Sequence, residues 1–347
     1  MTTIKDVARE SGVSIATVSR VFNHSTVVSE GTRRVVREVA ERLNYWPNGA
    51  ARSLITNRTQ AIGVMLPDLF GEFYSEILRG MDWTARKAGL HLLVSSSHAD
   101  ADELVAGLRT TRGRIDGVMV MAPDIDARAA IGAIASAQPL VLIDPGSGFE
   151  ACDSVSIANH SGASAIVRHL VSLGHRRVAT ITGPARNADA RQRLEGYRAA
   201  LRASGTEVRD EYEILGEFTE PSGYAAVAKL LALEPRPTAV FAANDYMAIG
   251  VMGALSDAGV RVPEDIAVVG FDDIAMARYL NPSLTTVHVD AFRLGERAVE
   301  MLLAKPRSRA ERRPRHEVVP TTLVVRSSCG SSSAMQARGG LGRQRGR

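Results

Sequence analysis

Apolar positions near the N-terminus recur at helical spacing in three successive stretches. Ile4, Val7 and Ala8 form one stripe, and Val18, Val21 and Phe22 form a second. Gly12 breaks the chain between them, and Ser14 is placed to cap the second helix through an otherwise orphaned backbone N–H. A third helix starts near Ser29, with Val35, Val39, Ala40 and Leu43 on one side. The pattern predicts a three-helix unit with a small core, marginal alone but able to fold. Opposite the Val18 face lie Ile15, Ala16, Thr17, Ser19, Arg20 and Asn23, short side chains with one long cation. On pattern alone this is either an ordinary helical hairpin with a solvated face or a helix-turn-helix.

From residue 61 onward the pattern changes. Short apolar runs over 61–66, 90–95, 117–121 and 140–143 suit buried parallel strands, with helical stretches over 75–88, 100–111 and 126–135 between them. A second series follows, with strands over 177–182, 213–215, 239–242 and 267–270 and helices over 161–173, 189–204, 222–233 and 246–258. Two alternating series predict two doubly wound subdomains with a cleft between them. Pro47 ends the N-terminal unit, and 48–55 is long enough for a helix of about two turns, which is unstable by itself and folds on docking. Gly49 weakens that helix further.

Charge is unevenly spread along the 347 residues. Residues 1–58 hold nine Lys/Arg against five Asp/Glu, 305–347 hold eleven against two, and the stretch between holds 22 against 31. Basic ends on an acidic body argue that only the ends meet phosphate. No apolar run is long enough to span a bilayer, and the chain opens on a charged helix rather than a signal-peptide core, so a cytoplasmic location is expected. Cys152 and Cys329 match no metal spacing and predict no disulfide framework.

Ligands of open α/β sheets bind beyond the carboxyl ends of strands. That rule selects 68–74, Asp144, 183–191, Asn244 with Asp245, and 271–273. Arg191, Asp144, Asn244 and Asp272, beside Phe73, Tyr74 and Phe218, describe a pocket for a polyhydroxylated ligand, in which charged and amide groups grip hydroxyls and rings stack on a sugar face. Asp245 reads better as a helix cap. No G-x-x-x-x-G-K-[ST], H-E-x-x-H or G-x-S-x-G occurs, and His169, His175 and His288 are isolated, so no catalytic set, metal or cofactor is expected.

The opening T-I-K-D-V-A, the G-V-S…T-V-S-R-V-F-N pair, N-Y-x-P-N and A-R-S-L resemble the LacI/GalR family of bacterial transcription repressors, over residues 3–326. The resemblance implies an all-α helix-turn-helix headpiece joined to an α/β body of two doubly wound subdomains, like a periplasmic binding protein. The headpiece is placed at 1–46, a hinge helix and linker at 47–59 and an effector-binding body at 60–326. Subdomain one covers about 60–158 and 287–317, and subdomain two about 159–286 and 318–326. A disordered basic tail occupies 327–347.

The resemblance further implies a homodimer on a double-stranded, pseudopalindromic operator. Thr3 and Ser14 contact the DNA, and Ile15, Ala16, Thr17, Ser19, Arg20 and Asn23 face the major groove. Asn48 and Ala51 lie on the hinge helix, and Leu54 wedges into the minor groove. The effector pocket is matched by Arg191, Asn244 and Asp272, and less closely by Asp144 and Phe218, for a sugar or sugar derivative; members responsive to nucleobases share the fold. The tail lacks the leucine heptads that join dimers of some members into tetramers. Two other readings are a solute-binding protein, which would need a signal peptide and no headpiece, and a sugar-modifying enzyme, which would need a base facing a nucleophile.

Overall fold

The computed structural model describes residues 2–22, 27–46, 58–123, 131–132, 134–135, 138–304 and 313–330. The chain divides into two compact units, Met1–Thr59 and Gln60–Arg347.

In the first unit, helices α1 (Ile4–Glu10), α2 (Ile15–Phe22) and α3 (Glu30–Arg42) enclose Val7, Ala8, Val18, Val21, Val36, Val39 and Ala40. Asp6 closes the start of α1 by accepting from the Thr3 N–H at 3.0 Å and its hydroxyl at 2.7 Å. Gly12 takes φ +66° at the break between α1 and α2, in the left-handed region that glycine enters without strain. Ser14 caps α2, its Oγ accepting from the Thr17 N–H at 3.1 Å. Along α3 the core position is Val36, whereas Val35 is exposed. Of the expected stripe, Val39, Ala40 and Leu43 face the core, and only Val35 is misplaced, its position taken by Val36, which keeps the i, i+3, i+4 spacing with Val39 and Ala40.

The body contains a six-stranded sheet in the order β11-β5-β4-β3-β1-β2, with every pair parallel. Its strands are β1 (Ala61–Leu66), β2 (His91–Ser96), β3 (Val118–Met121), β4 (Leu140–Ile143), β5 (Asp153–Ile157) and β11 (His316–Val319). Helices α4 (Glu72–Lys87), α5 (Ala101–Thr111) and α10 (Ala291–Leu303) belong to this subdomain. A second parallel sheet has the order β7-β6-β8-β9, from β7 (Glu213–Leu215), β6 (Val178–Thr182), β8 (Ala239–Ala242) and β9 (Ala267–Val269). Helices α6 (Asn159–Ser172), α7 (Ala188–Ala203), α8 (Glu220–Ala232) and α9 (Asp245–Asp257) alternate with its strands. In each sheet the order reverses at the first strand, leaving a crevice at the strands' carboxyl ends.

The chain passes between the subdomains more than once. After β5 it enters α6, and after β9 it passes Thr285, bridged to Val269, into β10 (Thr286–Val289), whose His288 is bridged to Asp272 and which pairs antiparallel with β12 (Thr321–Val324). It then returns through α10 and β11. The last passage falls at Pro320, between β11 and β12, not at the expected 317/318.

Two further expectations differ. β2 is an edge strand with Leu93 and Val94 exposed, not a buried one. Ordered structure continues past 326: the Ser328 carbonyl accepts from the Val268 N–H at 2.9 Å, its hydroxyl accepts from the Thr285 N–H at 2.8 Å, and Cys329 is buried. Most of the helix expected over 126–135, the hinge over 47–57 and the tail beyond 330 lie outside the described residues.

Candidate ligand cleft and nucleic-acid interface

On the headpiece, Thr3, Ser14, Ile15, Ala16 and Arg20 are exposed, while Thr17 and Ser19 are half-buried. Burial of Val18 and Val21 turns this face outward. Among the described residues Arg20 forms no ion pair, whereas Arg9, Arg33, Arg34 and Arg42 each pair with a carboxylate. An outward, uncompensated guanidinium beside short side chains can approach a base edge. The Thr3 hydroxyl is engaged in the α1 cap. Asn23, Asn48, Ala51 and Leu54 lie outside the described residues.

In the body, a cavity of about 400 Å³ lies between the two subdomains at the strand ends. Phe73 and Tyr74 enter it from α4, and Phe218, Asn244 and Asp272 from the second subdomain. Five of the seven expected residues thus meet there.

Arg191 does not. Its guanidinium is exposed and donates to the carbonyls of Ala185 and Arg186. Arg193 takes the expected place, 4% exposed on the inner face of α7. Its Nε donates to Asn159 Oδ1 at 2.8 Å and its Nη1 to the Ala243 carbonyl at 2.6 Å. The Arg193 guanidinium carbon stands 3.8 Å from the centroid of the Phe271 ring. The buried face of α7 runs through Asp189, Arg193, Gly196, Tyr197 and Ala200, and that phase, readable from Tyr197 and Ala200, excludes Arg191.

Asp144 is buried behind the cavity rather than lining it. Its Oδ1 accepts from the Ile157 N–H at 3.0 Å, and its Oδ2 has no partner among the described residues. Burial, and then the like charge of Asp189, hold its carboxyl well above the usual range against the Ile157 N–H and Arg193. Asp189 itself lines the cavity and accepts from Asn159 Nδ2 at 3.1 Å.

Asn244 reaches the cavity with both ends of its amide engaged. The oxygen accepts from the Met247 N–H, capping α9, and the nitrogen donates to the Phe218 carbonyl, each at 2.9 Å. It positions Phe218 as much as it faces a ligand. The N-cap is therefore Asn244, and Asp245 is the buried residue that follows, holding the Thr286 hydroxyl and the Ile274 N–H.

Phe218 and Asp272 have φ of +60° and +111°. Side-chain residues held in such backbone conformations cluster at binding sites, where surrounding bonds fix them. Here the Asp272 N–H donates to the Val287 carbonyl at 2.8 Å. Burial pushes the Asp272 carboxyl up to about 6, and Arg193 limits the rise. The stretches 68–74 and 183–191 selected from the sequence contain Phe70, Asn187 and Asp189 without naming them, and Arg193, His98 and Tyr246 were missed; all six line the cavity. The arrangement brings carboxylates, a guanidinium and aromatic faces together, and among the described residues that line it no nucleophile is paired with a base.

Residues 3–48 match the bacterial regulatory proteins of the lacI family, and residues 167–329 match a periplasmic binding protein-like domain. The chain is 39% identical over 309 residues to the ribose operon repressor of Escherichia coli K12, covering 87% of this chain and 92% of that one. It is 35% identical over 331 residues to the HTH-type transcriptional repressor PurR of Mannheimia succiniciproducens, covering 94% and 98%. Among solved structures, a lac repressor dimer bound to operator and the anti-inducer ONPF matches with a TM-score of 0.86 at 32% identity, covering 94% of this chain and 99% of that chain.

Proposed function

The chain belongs to the lacI family of bacterial regulatory proteins and is a DNA-binding transcriptional repressor rather than an enzyme, and from that premise we propose that a neutral sugar in the body cleft sets its operator affinity. The observation that carries the ligand class is the Asp272 carboxylate. It is nearly buried, its Oδ1 accepts no hydrogen bond among the described residues, and Arg193 stands 3.2 Å away. A buried carboxylate with one ion pair and unmet acceptor sites is costly, and ligand hydroxyls complete it. Phe73 and Phe218, one ring from each subdomain, cover the apolar faces of such a ligand. The name of the E. coli relative, a ribose operon repressor, fits a small sugar.

The repressor works in the cytoplasm as a homodimer. Each protomer presents Ile15, Ala16, Thr17, Ser19, Arg20 and Asn23 to one half-site, with Thr3 and Ser14 at the phosphates and Asn48, Ala51 and Leu54 at the operator centre. The second copy covers exposed Trp83, Leu93 and Val94 beside the open edge of β2, where unpaired backbone groups need blocking. A sugar shifts DNA affinity only by its differential affinity for the two cleft arrangements.

Calorimetric titration of pentoses, hexoses and nucleobases into the purified repressor, repeated with a selected operator, tests this. One sugar bound per protomer with a changed operator affinity supports the reading. Binding of a nucleobase alone, or a bound sugar without effect on operator affinity, overturns it.

A further inference from the structure

Two helix starts face each other across one side of the cleft. α4 begins at Glu72 after Gly71, which has no side chain to cap it. The Glu72 N–H, one of the donors a helix start leaves without an internal partner, is instead given to Tyr246 Oη of α9 at 2.9 Å. In return Glu72 Oε1 accepts from the Ala275 N–H at 2.6 Å. Ala275 opens the short 3₁₀ turn Ala275–Arg278, whose preceding residue Ile274 has no capping side chain either. Each subdomain therefore satisfies the other's exposed helix start. The tilted Phe70 and Tyr246 rings, 6.5 Å apart, close the same side. Glu72 does not line the sugar cavity, although Tyr246 does.

We propose that Glu72 is a positioning residue, a latch that holds the two subdomains together before ligand arrives and so scales the response to it. The proposal rests on the cleft being the ligand site. Both bonds link α4 of the first subdomain to residues of the second, so separation of the subdomains breaks both together. If the competent closed state is a fraction of the free protein, apparent ligand affinity falls in proportion when that fraction falls. Glu72 thereby acts on the ligand without touching it.

Hydrogen exchange of the full-length protein, followed on peptides spanning 70–76 and 271–279, reads each bond separately. Glu72→Ala removes the acceptor for Ala275 but leaves the backbone N–H at 72 and Tyr246 intact. A latch predicts that the amide at 72 also exchanges about tenfold faster in this variant, and that Tyr246→Phe speeds the Ala275 amide although its Glu72 acceptor remains. Glu72→Gln, which keeps a carbonyl oxygen for Ala275, should exchange like the wild type. D-ribose affinity, measured in parallel, should fall about tenfold in Glu72→Ala and within twofold in Glu72→Gln. Acceleration confined to each variant's own amide, or a Glu72→Gln as impaired as Glu72→Ala, would overturn the latch. A wild type that ignores D-ribose but shows the crossed exchange pattern keeps the latch and removes D-ribose as ligand.

Discussion

Arg193 and Asp272 approach to 3.2 Å at the floor of the cleft, with side chains only 5% and 9% exposed. They come from different elements, α7 and the turn after β9, and the pair is only partly compensated. Nε of Arg193 donates to Asn159 and Nη1 to the Ala243 carbonyl, the contact of Nη1 with Asp272 Oδ1 is an ion pair without an aligned hydrogen bond, and among the described residues Nη2 donates to nothing. A guanidinium with free donors beside a carboxylate with free acceptors is prepared for adjacent hydroxyls.

Arg193→Ala should therefore reduce sugar affinity by about 100-fold, since it strands Asp272 as well as removing donors. Arg191→Ala should change it less than about twofold, because that side chain only ties back to its own loop. Calorimetry on the two variants decides between the arginines, and equal losses would mean that α7 is not oriented as described.

What the sequence disclosed and what it hid follow from the range of the interactions involved. Helices α1 and α2, the strand–helix alternation and the strand-end loops are local, so periodicity and capping residues showed them. Arg193 could have been chosen over Arg191 from the phase that Tyr197 and Ala200 set for α7, but its partners Asn159 and Ala243 are remote in sequence. The burial of Ser328 and Cys329 comes from bonds to Val268 and Thr285 that no composition rule anticipates, since Ser-Gly runs read as solvated. Asp144 was placed correctly at a strand end, but its side chain is held by the Ile157 N–H at the end of β5 and not in the cavity lining.

Asp272 gives the cleft a pH signature. Its carboxyl is raised from 3.8 to about 6, mainly by burial. Between those values the folded chain holds a proton that the unfolded chain has released, so the stability this group contributes is complete below about pH 4 and is lost as pH rises through about 6. Two units correspond to about 3 kcal/mol. Asp272→Asn removes the effect. Its stability relative to the wild type should rise by up to about 3 kcal/mol between pH 4 and pH 7 in urea titrations; a flat or falling difference would contradict the burial of the charge.

Arg20 is the exposed cation of α2 that no described carboxylate holds. Arg20→Ala should cost about 1–3 kcal/mol on the preferred operator and relax base choice at one position of each half-site. On random duplex the loss should be that of one phosphate contact or less. Leu54→Ala should weaken operator binding far more than random binding, as expected of a wedge that works only at a deformable central step. Parallel titrations on selected and random duplexes separate the two, and equal losses on both would show that neither residue reads sequence.

Gly183 lies under the Phe218 ring, and a Cβ built there would come within 2.2 Å of the ring's far edge. The Phe218 backbone cannot retreat easily, because it sits at φ +60° and its carbonyl accepts from Asn244. The ring can swing instead, and the open side is the ligand cavity. Gly183→Ala should therefore change folding stability by less than about 1 kcal/mol, since the clash is relieved into empty space. Sugar affinity should fall by about tenfold, because the displaced ring occupies volume the ligand needs. Thermal denaturation together with calorimetry checks both halves. A variant that loses stability while binding normally would show that the backbone moves, and would take Phe218 out of the ligand site.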